Sequence, residues 1–374
     1  MKKLGIYLHI PFCKSKCHYC DFCSFPNQGQ SEKETYCQTL RVLIAQRAAD
    51  LTEYEVDTVY FGGGTPTALP SELLCGLLET VKAHFRVSAE AEITSECNPA
   101  TADAAYFAAM RGAGFNRLSI GVQSFHEHEL KLLGRAHTAA DAEATVHMAR
   151  AAGFDNISVD LMYGIPAQTR ESFAASVRAA CALGVQHVSA YALKMEPGTP
   201  FDKMRDRLVL PDEDAVADMY EDCVALFAAH GIPRYEISNF ARPGYESRHN
   251  LKYWECDEYL GLGAAAHSYL RGDRAAYEDR DAFMRGTPVE TAYEAVTPLR
   301  EQEEYVMLAF RLEKGIDKSA FAARFGKDFD EIYGGKLAPY IRAGFVADDA
   351  HRCAFTTKGF LVSNTVLADV LEFD

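Results

Sequence analysis

The chain reads as an α/β protein: a partial (β/α)6, TIM-like barrel followed by a mostly helical, winged-helix-like C-terminal domain. Three observations predict this. Apolar, β-branched runs alternate with longer Ala/Leu-rich stretches of helical period, the pattern of βα units around a parallel sheet. Each such run ends in residues out of place in a plain turn: cysteines, glycines, carboxylates or amides. A barrel draws on the C-terminal ends of many strands, whereas an open sheet uses only the crevice at its switch point. Finally, there are six units rather than eight, so the barrel is incomplete and open on a side where a large substrate or partner can enter.

In chain order, strands are expected to begin near Leu4, Val56, Glu90, Arg117, Asn156 and His187, with helices over 31–51, 70–85, 101–112, 139–153 and 171–183. The first strand feeds the cysteine-rich loop 13–23. The second ends in Phe61-Gly62-Gly63-Gly64-Thr65-Pro66 and the third in Glu96-Cys97-Asn98-Pro99. The last three end in Gly121-Val122-Gln123-Ser124, Asp160-Leu161-Met162-Tyr163-Gly164 and Tyr191-Ala192-Leu193-Lys194. A helix over about 211–230 leads into 232–239, expected to form an extra strand that leaves the core. Residues 240–296, rich in aromatics, Arg, Gly and turn signals, read as a connector over the open side. A helix over 298–312, two shorter helices, a hairpin over 345–355 and a last helix from Thr357 give the winged-helix pattern. The expected division is therefore 1–235 barrel, 236–296 connector and 297–374 C-terminal domain.

At 374 residues the chain can bury one large core and a smaller one. A formal charge of −15 argues against nucleic acid or anionic membrane as the main partner, since both recruit by Lys and Arg excess. The C-terminal domain shares that sign: ten Lys plus Arg stand against thirteen Asp plus Glu, so its winged-helix pattern points to packing or a protein partner rather than DNA. No apolar run approaches the roughly 20 residues of a membrane span. Met1-Lys2-Lys3 runs straight into a strand, so eleven cysteines are expected to stay reduced in the cytoplasm.

Cys13, Cys17 and Cys20 are spaced C-x3-C-x2-C, which lets one loop point three thiolates at a single site. Directly after an apolar strand, that set suits a 4Fe–4S cluster in which three irons take Cys and the fourth stays open to chelate a small molecule. A structural zinc with Cys23 as fourth ligand is the first alternative. It fits less well, because zinc prefers paired C-x2-C halves separated by a longer stretch, and here four cysteines crowd into eleven residues. A chance grouping of buried thiols is the second. Cys23 has no role under the cluster reading.

With an aromatic, Tyr19, before its last Cys, the motif resembles the hallmark of the radical S-adenosylmethionine (radical SAM) superfamily. Within it, the chain is similar over nearly its whole length to the group containing oxygen-independent coproporphyrinogen III oxidase and the radical SAM heme chaperone. The resemblance implies a partial barrel carrying a 4Fe–4S cluster on Cys13, Cys17 and Cys20, with SAM chelating the open iron. It also implies that an electron from the reduced cluster can cleave a carbon–sulfur bond of SAM to methionine and a 5′-deoxyadenosyl radical. Gly63, Gly64, Thr65, Glu96, Gln123, Arg135 and Asp160 match the family's SAM-binding positions one by one, and the resemblance implies a methionine ammonium at the glycine run; by residue type, Glu96 can accept from that ammonium, Arg135 can take the carboxylate, and Gln123 and Asp160 suit the ribose hydroxyls. Tyr7 and Tyr19 would flank the cluster, and Ala192 would pack near the adenine.

Three features separate the two branches. Only about three residues precede the first strand, whereas the similar oxidase carries an N-terminal extension. Asp21-Phe22 follows Cys20 where the oxidase has a further Cys two positions on. And Arg248-His249-Asn250-Leu251-Lys252-Tyr253-Trp254 contains H-N-x2-Y-W, similar to the heme chaperone's signature. His249 can offer an imidazole nitrogen to heme iron, while Tyr253 and Trp254 offer flat faces to a porphyrin; the alternative is an aromatic cluster that seals the connector onto the barrel with His249 hydrogen-bonded inside it, and His267 is a weaker second candidate whose alternative is a structural role. A −15 chain also suits the four carboxylates of coproporphyrinogen poorly. The first expectation is a chaperone that binds heme and hands it to an apo-protein, with an electron donor for the cluster; a membrane-protein acceptor and a homodimer are compatible with it. The alternatives are radical decarboxylation of coproporphyrinogen III and a radical SAM enzyme that methylates or opens heme.

Overall fold

A computed structural model describes residues 1–290 and 292–372. Six parallel strands, β1 (Lys2–Ile10), β2 (Tyr54–Gly63), β3 (Val87–Cys97), β4 (Arg117–Gln123), β5 (Ile157–Tyr163) and β6 (His187–Ala192), lie side by side in chain order. Helices Gln30–Ala49, Ser71–His84, Ala104–Ala113, Ala139–Ala151 and Arg170–Ala182 connect them. Ile10 registers with Gly63, Phe61 with Ser95, Cys97 with Ile120, and Tyr163 with Ala192, so the C-terminal ends converge at one level. That is where a barrel keeps its chemistry.

Strand alternation sorts the two faces. Leu4, Ile6, Leu8 and Ile10 of β1 are completely buried and belong to the main apolar core, as do Val59 and Phe61 of β2. The other face is polar and internally hydrogen-bonded: Tyr60 donates to Glu96, Ser119 to Asp160, and Ser158 bonds the His187 ring. The interior is thus lined by polar groups, most of them hydrogen-bonded to one another, rather than by packed aliphatics.

Two regions differ from the sequence expectation. Residues 232–239 do not form a strand, because the chain folds back on itself there: the backbone N–H of Tyr235 bonds the Asn239 carbonyl, and Ala241 N–H bonds the Pro233 carbonyl. The strand is instead β7 (Asn239–Ala241), antiparallel to β6, and Phe240 is buried in the core rather than leaving it. The rest of the expected connector extends the sheet at its opposite edge, from Tyr259 onward. β8 (Tyr259–Leu262) pairs in parallel with β1, and β9 (His267–Leu270), β10 (Asp273–Ala276) and β11 (Ala292–Ala295) continue from it as an antiparallel meander. Helix Arg248–Trp254 is anchored to the barrel at its N-terminus, where the Glu92 carboxylate accepts from the N–H groups of Arg248 and His249. A short helix, Glu127–Leu132, with Glu127 and Glu129 in its first turn and Lys131 in its last, follows β4 where the sequence reading placed none.

The C-terminal region packs helices Pro298–Ala309, Lys318–Phe325, Gly335–Arg342 and Ser363–Val370 around Phe310, Phe321, Tyr333 and Phe355, with a three-stranded antiparallel sheet of Ile316–Asp317, Arg352–Phe355 and Val346–Asp348. Ile237 N–H to the Arg311 carbonyl and the ion pair of buried Arg234 with Glu313 tie it to the barrel. No helix among the described residues is long and apolar enough to cross a membrane.

Candidate cluster and cofactor site

A cavity of about 370 Å³ opens at the C-terminal ends of the strands. The cysteine loop forms one wall with Cys13, Cys17, Cys20 and Tyr19; the end of β2 contributes Gly63, Gly64 and Thr65; Glu96, Gln123, Arg135 and Asp160 complete it. Eleven of the fourteen residues singled out in the sequence are therefore brought together. Tyr7, Ala192 and His249 are not among the lining groups.

Backbone bonds hold the loop independently of its thiols. Gly64 N–H bonds the Ile10 carbonyl and Thr65 N–H that of Phe12, stitching the end of β2 to the loop entrance. Phe25 N–H bonds the Pro11 carbonyl, closing the loop, and His18 N–H bonds the Leu133 carbonyl beyond helix Glu127–Leu132. This frame needs glycine: a Cβ on Gly64 would stand 2.8 Å from the Phe12 carbonyl oxygen, and one on Gly62 2.9 Å from a Glu96 oxygen. Gly64→Ala should accordingly lower stability by about 1–3 kcal/mol, read as a reduced denaturation midpoint, because the obstacle is backbone and cannot rotate away.

The thiols are free and half-buried. Cys13 Sγ lies 3.6 Å from Thr65 Oγ1, and Arg135 Nη1 donates to Cys17 Sγ at 3.5 Å. Burial pushes the Cys13 and Cys20 thiols up, a penalty that coordination removes by taking the thiolate charge. Among the described residues, no three His, Cys, Asp or Glu side chains are grouped tightly enough for a single metal ion. A cubane instead takes each thiolate on a different iron.

Opposite the loop, Glu96 accepts from Tyr60 OH at 3.0 Å and from Gly63 N–H at 3.1 Å. Burial, and then the nearby Asp160 charge, push its carboxyl up to about 7. Asp160, bonded by Ser119 at 3.0 Å, is likewise raised by burial. Arg135 donates to Asn98 Oδ1 at 2.7 Å and to the Gly121 carbonyl, while its buried Nε has no partner. Gln123 holds a left-handed backbone at φ +69°, a strain typical of residues held for a ligand. Thiols on one wall, with carboxylates and a guanidinium holding an unused donor on the others, fit a three-thiolate cluster beside a ligand bearing both ammonium and carboxylate.

Three expected residues lie elsewhere. Ala192 is exposed between Tyr191 and Leu193, and it is these neighbours that line the cavity. Tyr7 lines a different cavity and bonds His9 Nδ1 at 3.1 Å. His249 is buried, with Nδ1 2.8 Å from Thr58 Oγ1 and Nε2 2.9 Å from Tyr253 OH. Both ring nitrogens are engaged and the ring stacks on Tyr60, so in this arrangement neither nitrogen presents a free lone pair to the cavities. Burial lowers its imidazole to about 3, which keeps it neutral. One residue escaped the sequence reading: Arg117, 1% exposed, lines the cavity with its Nε unpartnered. As the first residue of a strand it gives no local sign that it faces Glu96 and Asp160 inside the barrel.

The radical SAM superfamily matches residues 7–180, and the HemN C-terminal domain matches residues 296–362. The chain is 36% identical to the heme chaperone HemW of Bacillus subtilis over 98% of each chain, and 36% identical to HemW of Escherichia coli over 97% of each. Among solved structures it is similar to the Escherichia coli coproporphyrinogen III oxidase HemN, a radical SAM enzyme, with a TM-score of 0.86 and 25% identity, covering 99% of this chain and 90% of that one. With a three-cysteine loop at the mouth of a six-stranded barrel and near-full-length identity to these chaperones, the chain belongs to the HemW heme chaperone family of the radical SAM superfamily.

Proposed function

We propose that the protein binds heme and transfers it to an acceptor apo-protein, and that it carries a SAM-chelating 4Fe–4S cluster on Cys13, Cys17 and Cys20. The observation that carries this reading is a near-full-length similarity to heme chaperones, at 36% identity, combined with three thiols on one wall of a cavity. When bound and reduced, the cluster supplies an electron able to cleave the carbon–sulfur bond of SAM. The chain's own residues do the rest. Glu96 and the Gly63–Thr65 backbone receive the ammonium, Arg135 the carboxylate, and Asp160 and Gln123 the ribose hydroxyls. Heme, the acceptor and an electron donor for the cluster are the partners under this reading.

Structural likeness to HemN favours one second reading, oxidative decarboxylation of coproporphyrinogen III. Two measurements on reconstituted protein separate them. Heme titration should saturate with a shifted Soret band, and coproporphyrinogen III with SAM and reductant should yield no protoporphyrinogen. Product formation without heme binding would reverse the order.

A further inference from the structure

A second cavity, also about 370 Å³, lies beside the first and shares Gly63, Glu96 and Phe22 with it. It is framed by β1, the exit of the cysteine loop, and β8 and β9. Tyr7, Cys23, Tyr253, Tyr259 and His267 line it. None of this follows from SAM binding, and Cys23, His267 and the outer half of the H-N-x2-Y-W helix are all otherwise without a role.

Three properties converge on a flat, iron-bearing ligand with carboxylate arms. The walls are aromatic: Tyr253 and Tyr259 meet edge to face at 4.7 Å, and Phe22, 63% exposed, stands at the rim. The second property is an available imidazole. His9 bonds Tyr7 and the Cys23 carbonyl through its two ring nitrogens, and His249 is equally engaged. His267 is exposed, and its ring has no hydrogen-bond, ion-pair or stacking partner among the described residues. Its backbone is nonetheless fixed. Ala265 holds φ +59°, Ala265 N–H bonds the Tyr277 carbonyl at 2.7 Å, and His267 registers opposite Ala276. The third property is cationic: the charges of Arg280 and Lys16 both act on the Cys23 thiol, which lines the cavity. A guanidinium beside an apolar slot suits a propionate.

We propose that this second cavity is the heme seat, with His267 as an axial iron ligand and Arg280 and Lys16 facing the propionates; the proposal rests on the heme-chaperone reading above. The signature helix then serves the site through Tyr253, whose hydroxyl is held by His249 one helical turn away and whose ring lines the cavity. His249 is a positioning residue rather than a ligand. Since Gly63 and Glu96 border both cavities, heme would sit directly against the SAM compartment.

The test is ferric heme titration of cluster-loaded protein, with iron and sulfide content and circular dichroism as checks of folding. His267→Ala should weaken heme binding by about ten-fold or more and change the ligand-field spectrum. His267→Cys should bind heme with a thiolate spectrum, a change that a merely structural histidine would not produce. Arg280→Ala should weaken heme while leaving the affinity for heme dimethyl ester unchanged. Wild-type affinity and spectrum in both His267 variants would overturn the proposal while leaving the chaperone reading intact. No heme uptake by the wild-type protein would overturn both.

Discussion

Cys17→Ser protein, prepared and reconstituted without oxygen, should lose essentially all of its visible cluster absorption and acid-labile sulfide while keeping its far-ultraviolet circular dichroism. The loop presents three thiols to the cavity and reserves no spare, because Cys23 lines the neighbouring one. A serine hydroxyl stays protonated at neutral pH and cannot replace a thiolate. The remaining two ligands would have to hold a cluster against the loss of a corner. The fold has no such dependence: the loop is closed by main-chain bonds at Phe25, Gly64 and Thr65, and the strands beneath it are buried aliphatics. Cys23→Ser is the matching control and should retain iron and sulfide at wild-type level. Wild-type metal content in Cys17→Ser would refute the ligand assignment, and metal loss in Cys23→Ser would favour a closed four-thiolate site.

The strands were legible because they are long and buried on one face. β4 and β6 begin at Arg117 and His187 as expected, and the other strands lie within a few residues of expectation. The cavity was legible for a related reason: in a parallel barrel every strand end faces the same mouth, so unusual residues there must meet. Information failed where contacts are distant and elements short. β8 is four residues long, too short to show a period, and its pairing of Tyr259 with Gly5 has no local trace. The same limit explains His249. Its residue type and motif allow either an iron ligand or a hydrogen-bonded member of an aromatic cluster, and its contact with Thr58, 191 residues earlier in the chain, leaves no local trace. Its only local warning was Tyr253, four residues on and thus on the same helix face.

SAM affinity should depend on pH through Glu96, and the direction follows from its burial. The free carboxyl titrates near 7 rather than 4.5, so the folded, unliganded protein binds a proton there that the unfolded chain has released. Its contribution to stability is therefore fully present below about 4.5 and is lost as pH rises through about 7. An ammonium ligand requires the opposite state. Below about 7, each pH unit should weaken SAM binding by up to about ten-fold as the carboxylate is protonated, with a plateau above. Glu96→Gln keeps the shape but not the charge. It should flatten that slope, weaken binding on the plateau by about 10- to 100-fold, as loss of a charged hydrogen bond does, and raise the thermal midpoint of the unliganded protein above pH 7. Equilibrium binding of SAM to cluster-loaded wild type and variant between pH 5.5 and 8.5 measures both. A slope that survives in Glu96→Gln would move the titration to Asp160, the neighbour whose charge helps to raise Glu96. A wild-type affinity independent of pH would remove the carboxylate from ammonium recognition altogether.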